Sequence, residues 1–172
     1  EAVLVYRQPR MLSMLALGFS AGLPFMLVFS TLSAWLRQGG IDRATIGMLA
    51  WVGLAYSLKF LWAPVVDRLR LPLLTRLLGQ RRSWMLLAQC GIVAGLLLIS
   101  SSDPTHHVLR VAGFALLVAF SSATQDIAVD AWRIESAPPE LQGAMAAAYQ
   151  LGYRIALMAA TAGALWIAAD LG

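Results

Sequence analysis

The sequence predicts an all-α integral membrane protein, and three quantities predict it. Of 172 residues, 59% are hydrophobic. Only 22 are charged (13 Lys and Arg, 9 Asp and Glu), or 13% of the chain, where a soluble domain carries about 25%. The apolar residues fall into five blocks: Met11–Leu36, Ala44–Val66, Ser83–Ser101, Val108–Trp132 and Gly143–Ala169. Each is close to or longer than the ~20 residues that cross ~30 Å of hydrocarbon. This much apolar surface exceeds what one core of ~150 residues hides. A soluble enzyme, a nucleic-acid-binding module and a disordered tail are all excluded. A single transmembrane domain over 1–172 is expected.

Each block has its own signals. Met11–Leu36 is too long for the 7–15-residue apolar region of a signal peptide. It carries Gly18 and Gly22 four apart, a spacing that lets helices approach closely in lipid. Its Pro24 removes a helix hydrogen bond and should kink or loosen the middle of the span. Ala44–Val66 follows Asp42, a suitable helix cap. Ser83–Ser101 has a second glycine pair, Gly91 and Gly95, and holds the single Cys90, so no disulfide forms within one chain. Val108–Trp132 starts after Asp103-Pro104, with Thr105 as the expected cap, and Gly143–Ala169 has Ser136, before Pro138-Pro139, as its expected cap. Trp35, Trp62, Trp84, Trp132 and Trp166 fall near span ends, where indoles favour the membrane–water boundary; Trp51 does not.

Charge placement gives the orientation. The loop Asp67–Arg82 carries Arg68, Arg70, Arg76, Arg81 and Arg82 against Asp67, equal to the chain's net charge of +4. With the N-terminus cytoplasmic, these five join Arg7, Arg10 and Arg133 inside, while Arg37, Arg43 and Arg110 lie outside. Cytoplasmic loops carry the excess of Lys and Arg, so the N-terminus is read as inside and Gly172 as outside. The sequence has no Asn and hence no N-glycosylation acceptor.

Lys59, Asp126, Asp130 and Arg154 lie at membrane depth, where a charge costs ~2.5–3.5 kcal/mol without a partner, a wet cavity or an escape to the interface. At ~1.5 Å rise per residue, Lys59 sits roughly 6–8 Å, and Asp126 about 9 Å, to the cytoplasmic side of the midplane. A Lys59–Asp126 pair between the second and fourth spans is the simplest way to lower both costs. Ser122, Asp126 and Asp130 are successive i, i+4 neighbours, with Gln125 beside them and Arg133 at the cytoplasmic end. Gln150, Arg154 and Thr161 stack similarly on the fifth span, and Tyr56 lies one turn from Lys59. These stripes point to a shared water-accessible cavity. There Lys59, Asp126 and Asp130 are candidates for proton coupling, and Arg154, Gln125, Tyr56 and Gln150 for substrate binding. Competing structural readings are an interfacial pair of Asp130 with Arg133, and a snorkelling Lys59. A carboxyl can carry a proton, because desolvation disfavours its charge and a nearby cation favours it. Arginine stays charged and suits an anionic substrate group.

No constellation for catalysis or metal binding is present: His106 and His107 are adjacent and point apart, and no paired-Cys or HExxH spacing occurs. The chain is therefore not expected to be an enzyme, and no cofactor or metal is expected.

The stretch Ser121–Glu135, SSATQDIAVDAWRIE, resembles the fourth-helix signature of muropeptide permeases of the AmpG type. These are major facilitator superfamily transporters grouped with the acetyl-coenzyme A transporters. The likeness continues in order through Leu17–Phe25, Gly53–Arg68, Gly79–Gln89 and Leu151–Met158. The stretch from Asp67 to Arg82 is similar to a loosened form of the superfamily's loop motif, which implies a cytoplasmic gating loop with Asp67, Arg68, Gly79, Arg81 and Arg82. The resemblance implies the N-terminal helical bundle of that fold, with five of six helices present. It also implies a proton-driven importer in the bacterial inner membrane. The expected cargo is N-acetylglucosaminyl-anhydro-N-acetylmuramyl peptides released in cell-wall turnover. An acetyl-coenzyme A carrier is the runner-up within the family, and a non-transporting bundle the alternative outside it. The start without Met and the stop after a fifth block suggest a fragment lacking the sixth helix and the C-terminal half. Substrate, protons, lipid and that missing half are the expected partners, with no nucleic acid.

Overall fold

The computed structural model describes residues 8–104 and 106–171. Arg7, Thr105 and Gly172 lie outside the described residues, and with them the inside charge at Arg7, the cap at Thr105 and the orientation of Gly172. The described residues form helices and turns only. Four helical stretches among them are long and apolar enough to cross a membrane: Pro9–Gln38, Arg43–Leu61, Gln80–Ser100 and Val108–Ser136. The fifth block forms the 33-residue helix Pro139–Leu171. The protein is a multi-pass, all-α membrane protein.

The first span is α1 (Pro9–Met26), a five-residue π-helical segment (Leu27–Thr31) and α2 (Leu32–Gln38). Pro24 is buried inside α1. It has no N–H to give, and the widened turn follows three residues later, which is the loosening expected of it. The Ser33 hydroxyl donates back to the Phe29 carbonyl at 2.7 Å within this stretch.

The second span departs from the single helix that its apolar block predicts. It is α3 (Arg43–Leu49), a 3-10 turn (Ala50–Gly53), α4 (Leu54–Ser57), a second 3-10 turn (Lys59–Leu61) and α5 (Ala63–Arg68). Pro64 supplies the reason at its C-terminal half. Its ring cannot donate to the carbonyl one turn back, which suits Pro64 to the first turn of α5 and not to the interior of a longer helix. Accordingly Leu58 (φ −90°, ψ 3°) and Trp62 (φ −107°, ψ −1°) leave the helical mean. Asp42 caps α3 as expected: its carboxylate accepts from the Thr45 N–H at 2.9 Å and the Thr45 hydroxyl at 2.6 Å. These bonds hold the Asp42 carboxyl below its ordinary pKa, the side-chain bond acting most strongly.

The arginine-rich loop contains α6 (Leu74–Leu78), built from residues that the loop motif does not require. It is entered through Leu73, whose φ of 67° and ψ of −62° accompany a Leu74 N–H to Pro72 carbonyl bond of 2.8 Å. This is a γ-turn of the rare hand, a conformation costing on the order of 1–3 kcal/mol for a residue with a Cβ. The long helices α7 (Gln80–Ser100), α8 (Val108–Ser136) and α9 (Pro139–Leu171) complete the chain. The expected cap at Ser136 is a correction: Ser136 is the last residue of α8, and its hydroxyl donates to the Arg133 carbonyl at 3.4 Å. Two prolines follow and separate the helices, and Pro139 itself opens α9.

The chain falls into two compact units, one joining the stretch that ends at Leu27 to that beginning at Val129, the other running from Val28 to Ala128. In the first, α1 and α9 pack backbone to backbone. A Cβ on Gly18 would collide with the Tyr149 carbonyl. One on Gly22 would lie 2.7 Å from the Tyr153 carbonyl oxygen, and one on Gly152 would meet the Leu15 carbonyl. The glycine pair of the first block thus marks a real helix contact, to which Gly152 adds a third member. In the second unit, Val28, Leu32 and Leu36 meet Val52, Ala55, Ile92, Ile99, Val111, Ala115, Val118 and Ala119 in one core. Here Gly91 faces the Ser121 hydroxyl, and a Cβ on Gly95 would come within 2.5 Å of Val118 Cγ2.

Candidate functional site

Within the unit Val28–Ala128, two cross-links tie the second span to α8. Lys59 Nζ lies 3.8 Å from Asp126 Oδ2, with side chains 37% and 21% exposed. Three residues after Lys59, the Trp62 indole N–H donates to the Thr124 hydroxyl at 3.1 Å, and that hydroxyl donates to the Phe120 carbonyl at 2.8 Å. The Trp62 ring also lies against Phe120, centroids 4.6 Å apart. Residues i and i+3 of the broken second span therefore meet residues 126, 124 and 120 of a regular helix. The 3-10 turn at Lys59–Leu61 does not prevent this, because three residues make one 3-10 turn and Lys59 and Trp62 stay on one side. The ion pair was legible from matched membrane depth. The Trp62–Thr124 bond was not, although both residues flank the pair in sequence.

The other residues of this stretch are placed less uniformly. Gln125 and Ser122 are buried, and Tyr56 stacks against Phe29 with centroids 6.1 Å apart. In the loop, Arg81 forms an ion pair with Asp67. Gln80 donates to the carbonyls of Val66 and Asp67, and the Trp84 indole donates to the Leu69 carbonyl at 3.0 Å. Gly79, at φ 81°, begins α7 and receives the Ser83 hydroxyl on its carbonyl. A side chain at that backbone angle would be strained. Arg68 and Arg82 are exposed and form no ion pair among the described residues. Gln80 was missed by sequence reasoning and Trp84 was read only as a boundary indole; their i, i+4 spacing at the head of α7 is the signal that links them.

In the unit that begins again at Val129, Asp130 and Arg133 pair at 3.5 Å near the end of α8, with Asp130 57% exposed. The two residues are one helical turn apart. Arg133 also donates to Gln142 Oε1 at 3.2 Å, while Gln142 Nε2 reaches the Arg133 and Ala137 carbonyls and so caps α8 from the next helix. Gln142 went unnoticed in the sequence. Arg154 and Gln150 are exposed, on the side of α9 away from the Gly152 and Ala156 face that contacts α1. Among the described residues Arg154 forms no ion pair. No group of three or more His, Cys, Asp or Glu among the described residues is arranged to hold a metal ion.

The family model described as acetyl-coenzyme A transporter 1 matches residues 10–162. The chain belongs to the acetyl-coenzyme A transporter family. It is 40% identical over 164 residues to a protein of Escherichia coli K12 named anhydromuropeptide permease, covering 95% of this chain and 33% of that protein. It is 38% identical over 168 residues to putative transporter AmpG 4 of Rickettsia felis, covering 98% of this chain and 40% of that one. An uncharacterized protein of Haemophilus influenzae is 46% identical over 118 residues, covering 69% of this chain and 27% of that protein. The chain thus spans about a third of the length of the curated relatives it matches. The Escherichia coli and Rickettsia relatives carry the names of a permease and a transporter, and the family is a transporter family, not an enzyme family. The resemblance read from the fourth-span signature is matched by these findings.

Proposed function

We propose that this chain forms part of a proton-coupled secondary transporter that carries anhydromuropeptides, GlcNAc-anhydroMurNAc peptides, into the cytoplasm across the bacterial inner membrane. The observation that carries the proposal is the Lys59–Asp126 pair within apolar spans, in a chain 40% identical to a protein named anhydromuropeptide permease. Asp126 exchanges a proton: as a carboxylate it holds Lys59, and as a neutral acid it releases it. Arg154 is the fixed positive charge for the anionic cargo, since it cannot deprotonate. Gln125, Tyr56 and Gln150 complete the substrate contacts. Asp130 is the second member of the proton relay. The Asp67–Arg81 loop, with Arg68, Gly79 and Arg82, acts as a cytoplasmic gate, and the N-terminus is cytoplasmic. Alternating access then arises as this bundle rocks against further helices that complete the transporter.

A second reading, transport of acetyl-coenzyme A, is favoured by the name of the matching family model. Both cargoes are bulky anions, so a cation at Arg154 serves either. The deciding experiment is uptake of labelled GlcNAc-anhydroMurNAc peptide by the complete transporter under an imposed pH gradient. Asp126→Asn should abolish accumulation while leaving expression intact. Full accumulation by that variant would remove Asp126 from coupling. Uptake of labelled acetyl-coenzyme A with no muropeptide uptake would give the cargo to the second reading.

A further inference from the structure

We infer that the short helix Leu74–Leu78, with Leu73 at its entrance, is an interfacial anchor that seats in the headgroup layer and binds anionic phospholipid. The inference is independent of the proposed cargo. Both ends of this loop are fixed to the first turn of α7, by the Asp67–Arg81 ion pair, the Gln80 bonds to Val66 and Asp67, and the Trp84 bond to the Leu69 carbonyl. Only residues 69–79 lie between the end of α5 and the start of α7, so the loop is held at the level where two spans leave the bilayer.

At that level it shows two chemistries side by side. Leu73 is 73% exposed and Leu77 77% exposed, four residues apart, and Leu69 is 52% exposed. Leu71, Leu74 and Thr75 are only half-exposed, so the outward leucines form a separate face. Leu73 lies at the centre of the strained γ-turn. Arg68, Arg70, Arg76 and Arg82 are all exposed around this face, and none forms an ion pair among the described residues. The loop's acid, Asp67, is already engaged by Arg81. A leucine face in water is unfavourable, whereas at the acyl boundary it is buried. Guanidinium groups with apolar stems lying along that boundary reach the phosphate oxygens of lipid headgroups in paired hydrogen bonds. Four uncompensated positive charges select anionic over zwitterionic lipid.

The test uses the full-length transporter in which Cys90 and any other cysteine have been replaced, carrying Leu77→Cys labelled with an environment-sensitive fluorophore. It is reconstituted into phosphatidylcholine vesicles with or without phosphatidylglycerol. The expected result is blue-shifted emission quenched by nitroxide lipids labelled near the headgroup, with the quenching enhanced by phosphatidylglycerol. Arg70→Gln with Arg76→Gln should remove that enhancement. A probe quenched by aqueous iodide and untouched by nitroxide lipid in both vesicle types would overturn the anchor. Equal lipid quenching with and without phosphatidylglycerol would overturn the anionic selectivity.

Discussion

The Lys59–Asp126 pair gives a prediction whose size follows from its geometry. At 3.8 Å and an effective dielectric of ~20, two unit charges attract by about 4 kcal/mol. Both side chains retain solvent contact, 37% for Lys59 and 21% for Asp126, and screening reduces the net coupling to roughly 1–2 kcal/mol. Removing one partner does more harm than removing both, because a lone charge is then left among apolar helices. The assay is a double-mutant cycle, with Lys59→Ala, Asp126→Ala and the double variant of the complete protein unfolded reversibly in mixed micelles. The double variant should lose about 1–2 kcal/mol less than the sum of the single losses. Additivity within ~0.5 kcal/mol would show that the two groups do not interact, and the reasoning from matched depth would fail.

Other expectations rest on neighbouring contacts. Trp62→Phe keeps the ring against Phe120 and loses the indole donor, so it should cost about 1 kcal/mol. Thr124→Val should cost a similar amount, and the two together little more than either alone, in the same unfolding assay. Gly18→Leu and Gly152→Leu should prevent the α1–α9 contact and abolish a cooperative melt in detergent. Gly113→Ala, where an added Cβ meets nothing within 4 Å, should be tolerated and gain up to about 1 kcal/mol of helix propensity. Asp42 has a folded-state pKa below its unfolded value. Its cap therefore contributes fully above the unfolded pKa and is lost as pH falls through the folded one. The melting difference between the parent and Asp42→Ala should accordingly be present at pH 6 and shrink progressively as the sample is taken below about pH 4. A pH-independent difference would contradict the Thr45 bonds as its cause.

What the sequence determined by itself was local or additive. Block length decided that the chain crosses membranes, because the ~30 Å hydrocarbon layer sets a fixed requirement in residues. Asp42 was legible as a cap because its partner, Thr45, is three residues away. Glycines four apart marked α1 and α7 as close-packing helices, since a missing Cβ is itself the permission to approach. Lys59 and Asp126 were matched by counting rise along two spans, a one-dimensional argument that needs no knowledge of the fold. The Ser136 cap failed for the same reason that Asp42 succeeded: a local rule was applied where Pro138 and Pro139 had already separated the helices.

Only the tertiary structure decided the rest. The second span breaks into short helical and 3-10 pieces, and which side its residues take depends on every turn before them, so Trp62 could not be assigned to Thr124 from periodicity. Gln142 reaches back to cap α8 and Trp84 reaches across to the Leu69 carbonyl, bonds fixed by where two elements come to rest. Arg154 was identified by its depth, yet its exposure on the face of α9 away from α1 was set by Gly152 and Ala156 taking the other face. Depth in a membrane is written along the chain, whereas a side chain's direction and partner are settled by packing, because turning a helix moves its side chains to new neighbours without changing their level.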